Sequence, residues 1–175
     1  RPLPEVLSRS NMHWYEMRDN STADIVTTMN PDQRLFYAKF NEPTFINQRL
    51  IGLKLKQGYG DIALYHALLN SILGMFYIEA VGFGRGLGAL DISSTTIRNA
   101  LMLKPSLITT EQRRLILDSF EPLLNRNVLS TEEELMAEDR YLFDNAVLSA
   151  YGIDQHYDAI KNSLLSMQRM RLRVR

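Results

Sequence analysis

The chain contains no cysteine among its 175 residues. Disulfides and thiolate metal sites are therefore excluded, and the composition agrees with a reducing, cytoplasmic setting. No apolar run of roughly 18 residues free of charge occurs, so no transmembrane helix is expected. The three histidines, His13, His66 and His156, stand far apart without metal-ligand spacing, and each reads as a surface or helix-face residue. An excess of one charge is missing too, since 20 Lys and Arg balance 20 Asp and Glu. The halves differ slightly: residues 1–105 carry eleven cations against nine anions (+2), and residues 106–175 carry nine against eleven (−2). Neither half is a polycation, so any nucleic-acid role has to rest on a local patch. The opening Arg1-Pro2-Leu3-Pro4 has no initiator Met and no signal-peptide architecture, and reads as a cut inside a longer chain.

Several active-site signatures are also lacking. Gly82-Phe83-Gly84-Arg85-Gly86-Leu87-Gly88 invites a phosphate-loop reading, but no Gly-Lys-Ser/Thr follows to meet phosphate and magnesium. Its glycines recur every second residue and follow a helical pattern, unlike the Gly-x-Gly-x-x-Gly dinucleotide fingerprint that follows a strand. Asn30-Pro31-Asp32-Gln33 lacks the second proline and the stacking aromatic of the adenine-gripping Asn-Pro-Pro-aromatic motif, and reads as a turn. No Asp/Glu-x-Lys occurs, which removes a common magnesium-nuclease signature. No catalytic residue and no metal site is assigned, and no cofactor is expected in this stretch itself.

What is present is apolar patterning, with 45% hydrophobic residues, enough to bury a core. Residues 23–29 form a β-branched run, and residues 34–40 resume apolar and aromatic character after the turn, which predicts a hairpin. Residues 50–56 alternate cleanly, Ile51, Leu53 and Leu55 against Lys54 and Lys56. Asp61 is a plausible N-cap for one long helix over 62–81, apolar almost all round and so central. A short strand at 89–92, a short helix at 93–99 and a last strand at 101–103 follow. Thr109-Thr110-Glu111-Gln112 and Ser130-Thr131-Glu132-Glu133 are capping boxes, the second opening a helix to about residue 150. Tyr151-Gly152 is a C-cap, and Asp154 begins a last helix. The fold expected is α+β: a small mixed or antiparallel sheet on a long central helix, then a three-helix C-terminal module. The division falls at residues 1–105 and 106–175.

The candidate contacts with a partner are Arg85 among its glycines, the exposed amides of Gly84 and Gly86, Lys54 and Lys56 on one strand face, and Arg98 after Ser93-Ser94-Thr95-Thr96. A guanidinium with free amides suits phosphate oxygens or a guanine edge. The alternatives are plain: a glycine turn that lets the chain pass its own helix, a solvated strand face, and a hydroxyl N-cap. Trp14 and Tyr15 suit either sheet-edge packing or base contact. The basic tail, residues 169–175, suits either phosphate or a helix end. Asn70, Ser71 and Glu79 are polar within an apolar helix and need nearby partners, with Arg85 the expected one for Glu79.

Ala67-Leu68-Leu69-Asn70-Ser71, then Glu79, then Gly84-x-Gly86-x-Gly88-Ala89-Leu90-Asp91, carry a resemblance. Together with Glu138-Asp139-Arg140-Tyr141-Leu142-Phe143-Asp144-Asn145-Ala146-Val147-Leu148 and Tyr151-Gly152-Ile153, they resemble the region beyond the catalytic domain in adenine-specific DNA methyltransferases of type II restriction-modification systems, including methylase-nuclease fusions. The resemblance spans about residues 13–165. It implies a target-recognition region that holds double-stranded DNA for a catalytic methyltransferase domain of the same chain, which flips the adenine and uses S-adenosylmethionine. The family's base-reading residues vary with the target, so none is carried over to a position here. The alternative is a structural module for domain docking or oligomerisation.

Overall fold

The sheet is antiparallel and small. The computed structural model describes residues 22–86 and 88–173. β1 (Thr22–Thr28) lies between β2 (Ala38–Phe45) and β3 (Leu50–Leu53). Ile25 pairs with Lys39 on one side and Leu53 on the other, and a register shift in the β1–β2 pair falls between Ala23 and Ile25. A second, two-stranded ribbon is made by β4 (Phe83–Arg85) and β5 (Ala89–Asp91). Around these stand α1 (Ile62–Asn70), α2 (Ile72–Val81), α3 (Ser94–Asn99), α4 (Thr110–Leu124), the single turn α5 (Thr131–Glu134), α6 (Glu138–Ala150) and α7 (Tyr157–Leu172). The class is α+β.

The hairpin expected from residues 34–40 is displaced. Leu35 and Tyr37 are buried, but their segment is not a strand. Its backbone is satisfied by side chains instead of a ladder. Tyr37 N–H donates to Asn70 Oδ1 (2.9 Å), and Tyr37 C=O accepts from Asn70 Nδ2 (2.9 Å) and lies 2.8 Å from His66 Nε2. Phe36 C=O accepts from Thr27 Oγ1 at 2.9 Å. The strand pairing therefore begins only at Ala38. On the far side, β3 stops at Leu53 because Leu55 N–H turns to Asp24 Oδ2 (2.7 Å). Residues 101–103 pair with no described strand.

The long helix over 62–81 is broken into two, bent by 65°. Asp61 caps α1 as expected, accepting from Ala63 N–H and Leu64 N–H. Ser71 makes the break. Its backbone is extended (φ −66°, ψ 164°), and its hydroxyl donates to Leu68 C=O at 2.8 Å and accepts from Gly74 N–H. Ile72 N–H, which a continuous helix would direct to Leu68, goes to Asp144 Oδ1 at 2.7 Å. At the bend a Cβ on Gly74 would lie 1.9 Å from Leu69 O, so only glycine fits.

The helix over 130–150 is likewise interrupted, with α5 ending at Glu134 and α6 starting at Glu138. Both capping boxes form as read, at Thr109/Gln112 and Ser130/Glu133. Gly152 (φ 67°) ends α6, with Ile153 N–H on Leu148 C=O at 3.0 Å.

Two apolar clusters hold these elements. The larger joins Ile25 and Ile51 of the sheet to Ile72, Met75 and Ile78 of α2, Leu148 of α6, and Leu164 and Leu165 of α7. The smaller joins Leu64, Ala67 and Leu68 of α1 to Ile116 and Phe120 of α4 and Phe143 and Val147 of α6. Each fully buried aliphatic side chain contributes about 1.5–3 kcal/mol. Among the described residues no single helix is long and apolar enough to cross a membrane.

Candidate functional site

The glycine-rich segment forms the ribbon β4–β5, in the register Phe83↔Asp91, Gly84↔Leu90, Arg85↔Ala89. Its root is packed. Leu90 is buried, and a Cβ on Gly82 would lie 2.5–2.9 Å from the Leu90 side chain, which has no room to yield. Beyond the root the ribbon is open: a Cβ on Gly84 or Gly86 would meet nothing within 4 Å. Two missing side chains thus leave a thin ribbon with exposed backbone. Gly88 takes the left-handed conformation (φ 76°) that returns the chain into β5.

The ribbon is fixed from behind by a buried cation. Arg171 of α7 grips Glu79 of α2 bidentately, Nε to Oε1 at 2.7 Å and Nη2 to Oε2 at 2.9 Å. Its Nη1 donates to Gly88 C=O at 2.6 Å, and its Nη2 to Asp32 C=O at 2.9 Å. Both charged side chains are almost fully buried, 7% and 3% exposed. Arg171 takes both carboxylate oxygens of Glu79; the side chain of Arg85, the partner expected for it, lies outside the described residues. One guanidinium therefore ties the ribbon, helix α2 and the turn at residues 30–33 together. That turn adds its own tie: Asn30 Nδ2 donates to Leu90 C=O (3.3 Å) and to Asp91 Oδ1 (3.2 Å), and Ile92 N–H donates to Met29 C=O (2.9 Å).

The remaining candidates are spread out. Gly84, Gly86 and Arg85 share the ribbon. Arg98 is exposed in the last turn of α3, the helix that follows β5. The hydroxyls before it are partly spent, with Ser93 Oγ accepting from Thr96 N–H and lying 2.8 Å from Thr96 Oγ1. Lys54 and Lys56 are exposed past the end of β3, with Lys54 Nζ on Thr22 Oγ1 at 2.9 Å. They rim an apolar groove of about 210 Å³ with Leu55, Tyr59, Ile62 and Met102. Thr22 begins β1, while Met29 and Asn30, which hold the ribbon, follow its end. The lysines and the ribbon are thus separated by the length of β1, roughly 20 Å. Trp14 and Tyr15 lie outside the described residues.

A second polar cluster lies under a groove of about 250 Å³ lined by Tyr37, Lys39, His66, Phe120, Arg126 and Arg140, among others. Arg140 donates through Nε to Asp144 Oδ2 (2.9 Å) and through Nη2 to Asn70 C=O. Arg126 bridges Glu134 (2.8 Å to each oxygen) and Asp139 (Nε, 2.7 Å). Burial pushes Glu134 up, but Arg126, the Leu129 amide and Arg140 outweigh it and hold the carboxyl below its ordinary range. Arg126 holds Asp139 down as well. Burial lowers His66, so its ring is neutral near pH 7. These charges are spent on one another and brace the join between α1 and α6. Among the described residues no group of three His, Asp or Glu side chains is placed to hold a metal.

Arg171 was hidden in the basic tail. Its spacing marks it: with Leu164 and Gln168 it recurs at i, i+4 and i+7, the buried face of α7. The chain matches no protein-family model, no curated protein and no solved structure.

Proposed function

We propose that the chain is the target-recognition region of an adenine-specific DNA methyltransferase of a type II restriction-modification system. In this reading it positions duplex DNA for a catalytic domain of the same chain that uses S-adenosylmethionine. The observation that carries it is the anchored, glycine-thinned ribbon. A two-stranded ribbon fits the major groove of B-DNA, about 12 Å wide, and exposed amides with a neighbouring arginine suit phosphate and base edges. The residues of the resemblance also hold the fold where it is most constrained. Asn70 satisfies the Tyr37 backbone, Ser71 breaks the helix, Asp144 takes the freed amide, and Glu79 stands behind the ribbon.

The test is selection from a random duplex pool, then binding of the enriched duplex by fluorescence anisotropy between about 50 and 200 mM salt. Binding is expected to weaken with salt. Arg85→Ala or Lys54→Ala/Lys56→Ala should lower the salt slope by about one for each phosphate no longer neutralised. No enrichment, or unchanged binding in both variants, sinks the reading. The apolar groove beside Lys54 and Lys56, with exposed Tyr59 and Met102, favours a second role as a docking face for another domain. Self-association in sedimentation, relieved by Tyr59→Ser, would mark that role.

A further inference from the structure

We infer that Phe83 reads a thymine methyl group in the major groove, an inference that rests on the DNA-recognition reading above. Alternation along a strand puts neighbours on opposite faces. Leu90 is buried, 2% exposed, so its face of the ribbon turns to the core. Ala89 and Asp91, on either side of Leu90, and Phe83, directly across from Asp91, take the outer face. On that face Phe83 is 72% exposed and Ala89 is exposed too, while Asp91 is engaged by Asn30. Among the described side chains the outer face therefore presents an aromatic ring and a methyl group. The ring is held out, because the ribbon is locked at its root by Leu90 under Gly82 and at its turn by Arg171 on Gly88.

A ribbon of two strands, with side chains, matches the major groove, about 12 Å wide, better than the minor groove at about 6 Å. In the major groove every base edge offers donors and acceptors, and the one apolar feature is the 5-methyl of thymine. A phenyl ring has nothing to exchange with donors and acceptors, so its complement on the groove floor is that methyl. A single exposed phenylalanine is unremarkable on a flexible loop. Here it stands at the packed root of a ribbon fixed at both ends.

The experiment takes the duplex enriched by selection and replaces each thymine singly by deoxyuridine, which deletes the methyl alone. Anisotropy is measured with the wild-type chain and with Phe83→Ala. One position is expected at which deoxyuridine weakens the wild type about fourfold, the worth of one buried methyl. At that position the variant is indifferent to the change, and on the parent duplex it binds roughly tenfold or more weakly. Its thermal midpoint stays that of the wild type, since the ring packs on little. Phe83→Ala binding like wild type overturns the inference, as does a deoxyuridine penalty that persists undiminished in the variant at every position, or an enriched duplex without thymine. In those cases salt-sensitive binding and the Arg85→Ala effect survive. Their loss in the wild type would instead sink the recognition reading itself.

Discussion

A single guanidinium, that of Arg171, makes four hydrogen bonds to three segments far apart in sequence: Glu79, Gly88 and Asp32. Removing one partner of a buried pair leaves the other as an uncompensated charge, which costs about 3–5 kcal/mol. Arg171→Met is therefore expected to lower the stability in urea unfolding by about that much, because Glu79 stays buried. The double variant Glu79→Met/Arg171→Met restores part of the loss, since two apolar side chains of similar volume replace the pair. Losses that simply add in the double variant would show that the pair is not coupled. Arg171→Lys keeps the charge but not the fork, and cannot reach Glu79, Gly88 and Asp32 together. It is expected to fall between the wild type and Arg171→Met.

The elements are organised by breaks as much as by regular stretches. Around the break between α5 and α6, Arg126 holds Glu134 and Asp139, while His66 on α1 stays neutral through burial. All three groups are lowered in the folded state, so the unfolded chain takes up protons first as the pH falls. Their stabilisation is full above the ordinary values and lost below them: under about 6.5 for His66, 4.5 for Glu134 and 3.8 for Asp139. The thermal midpoint is expected to decline in two stages between about pH 7 and pH 3. Arg126→Met should flatten the lower stage and keep the upper one, and an unchanged acid limb would remove Arg126 from this role. The local signals that do survive into the structure explain what was legible. Asp61, Thr109/Gln112, Ser130/Glu133 and Gly152 act within one helical turn, so their sequence pattern suffices. The bend at Ser71 and the shift of β2 to Ala38 depend on Asp144 and Asn70, side chains 72 and 33 residues from the amides they capture. No short-range pattern carries such a bond. The same holds for the site: the turn of the ribbon was readable from its glycines, whereas its clamp came from α7.

At the scale of the whole molecule, the composition shift near residue 105 separates a β-rich part from a helical part, yet the packing crosses it. Leu148, Leu164 and Leu165 share one cluster with Ile25, Ile51 and Met75, and α1 sends Leu64, Ala67 and Leu68 into the cluster of α4 and α6. The polar ties cross as well, with Asp144 on Ile72, Arg140 on Asn70, Thr131 on Gln33 and Arg171 on Glu79. Neither part could bury its apolar faces alone, because each supplies a wall of the other's core. One unfolding transition is therefore expected, with far-ultraviolet circular dichroism and near-ultraviolet tyrosine signals superimposing in urea. Residues 106–175 expressed alone should show no cooperative transition, and amides of β1 and α6 should open to hydrogen exchange with one free energy. Two resolved transitions, or a stably folded C-terminal piece, would mean that the helical part stands by itself and that the ribbon's clamp joins two bodies. In the single-body case, any substitution that loosens the α7 face shared by Leu164, Gln168 and Arg171 also loosens the ribbon, because the same helix that closes the core fixes the surface proposed to meet DNA.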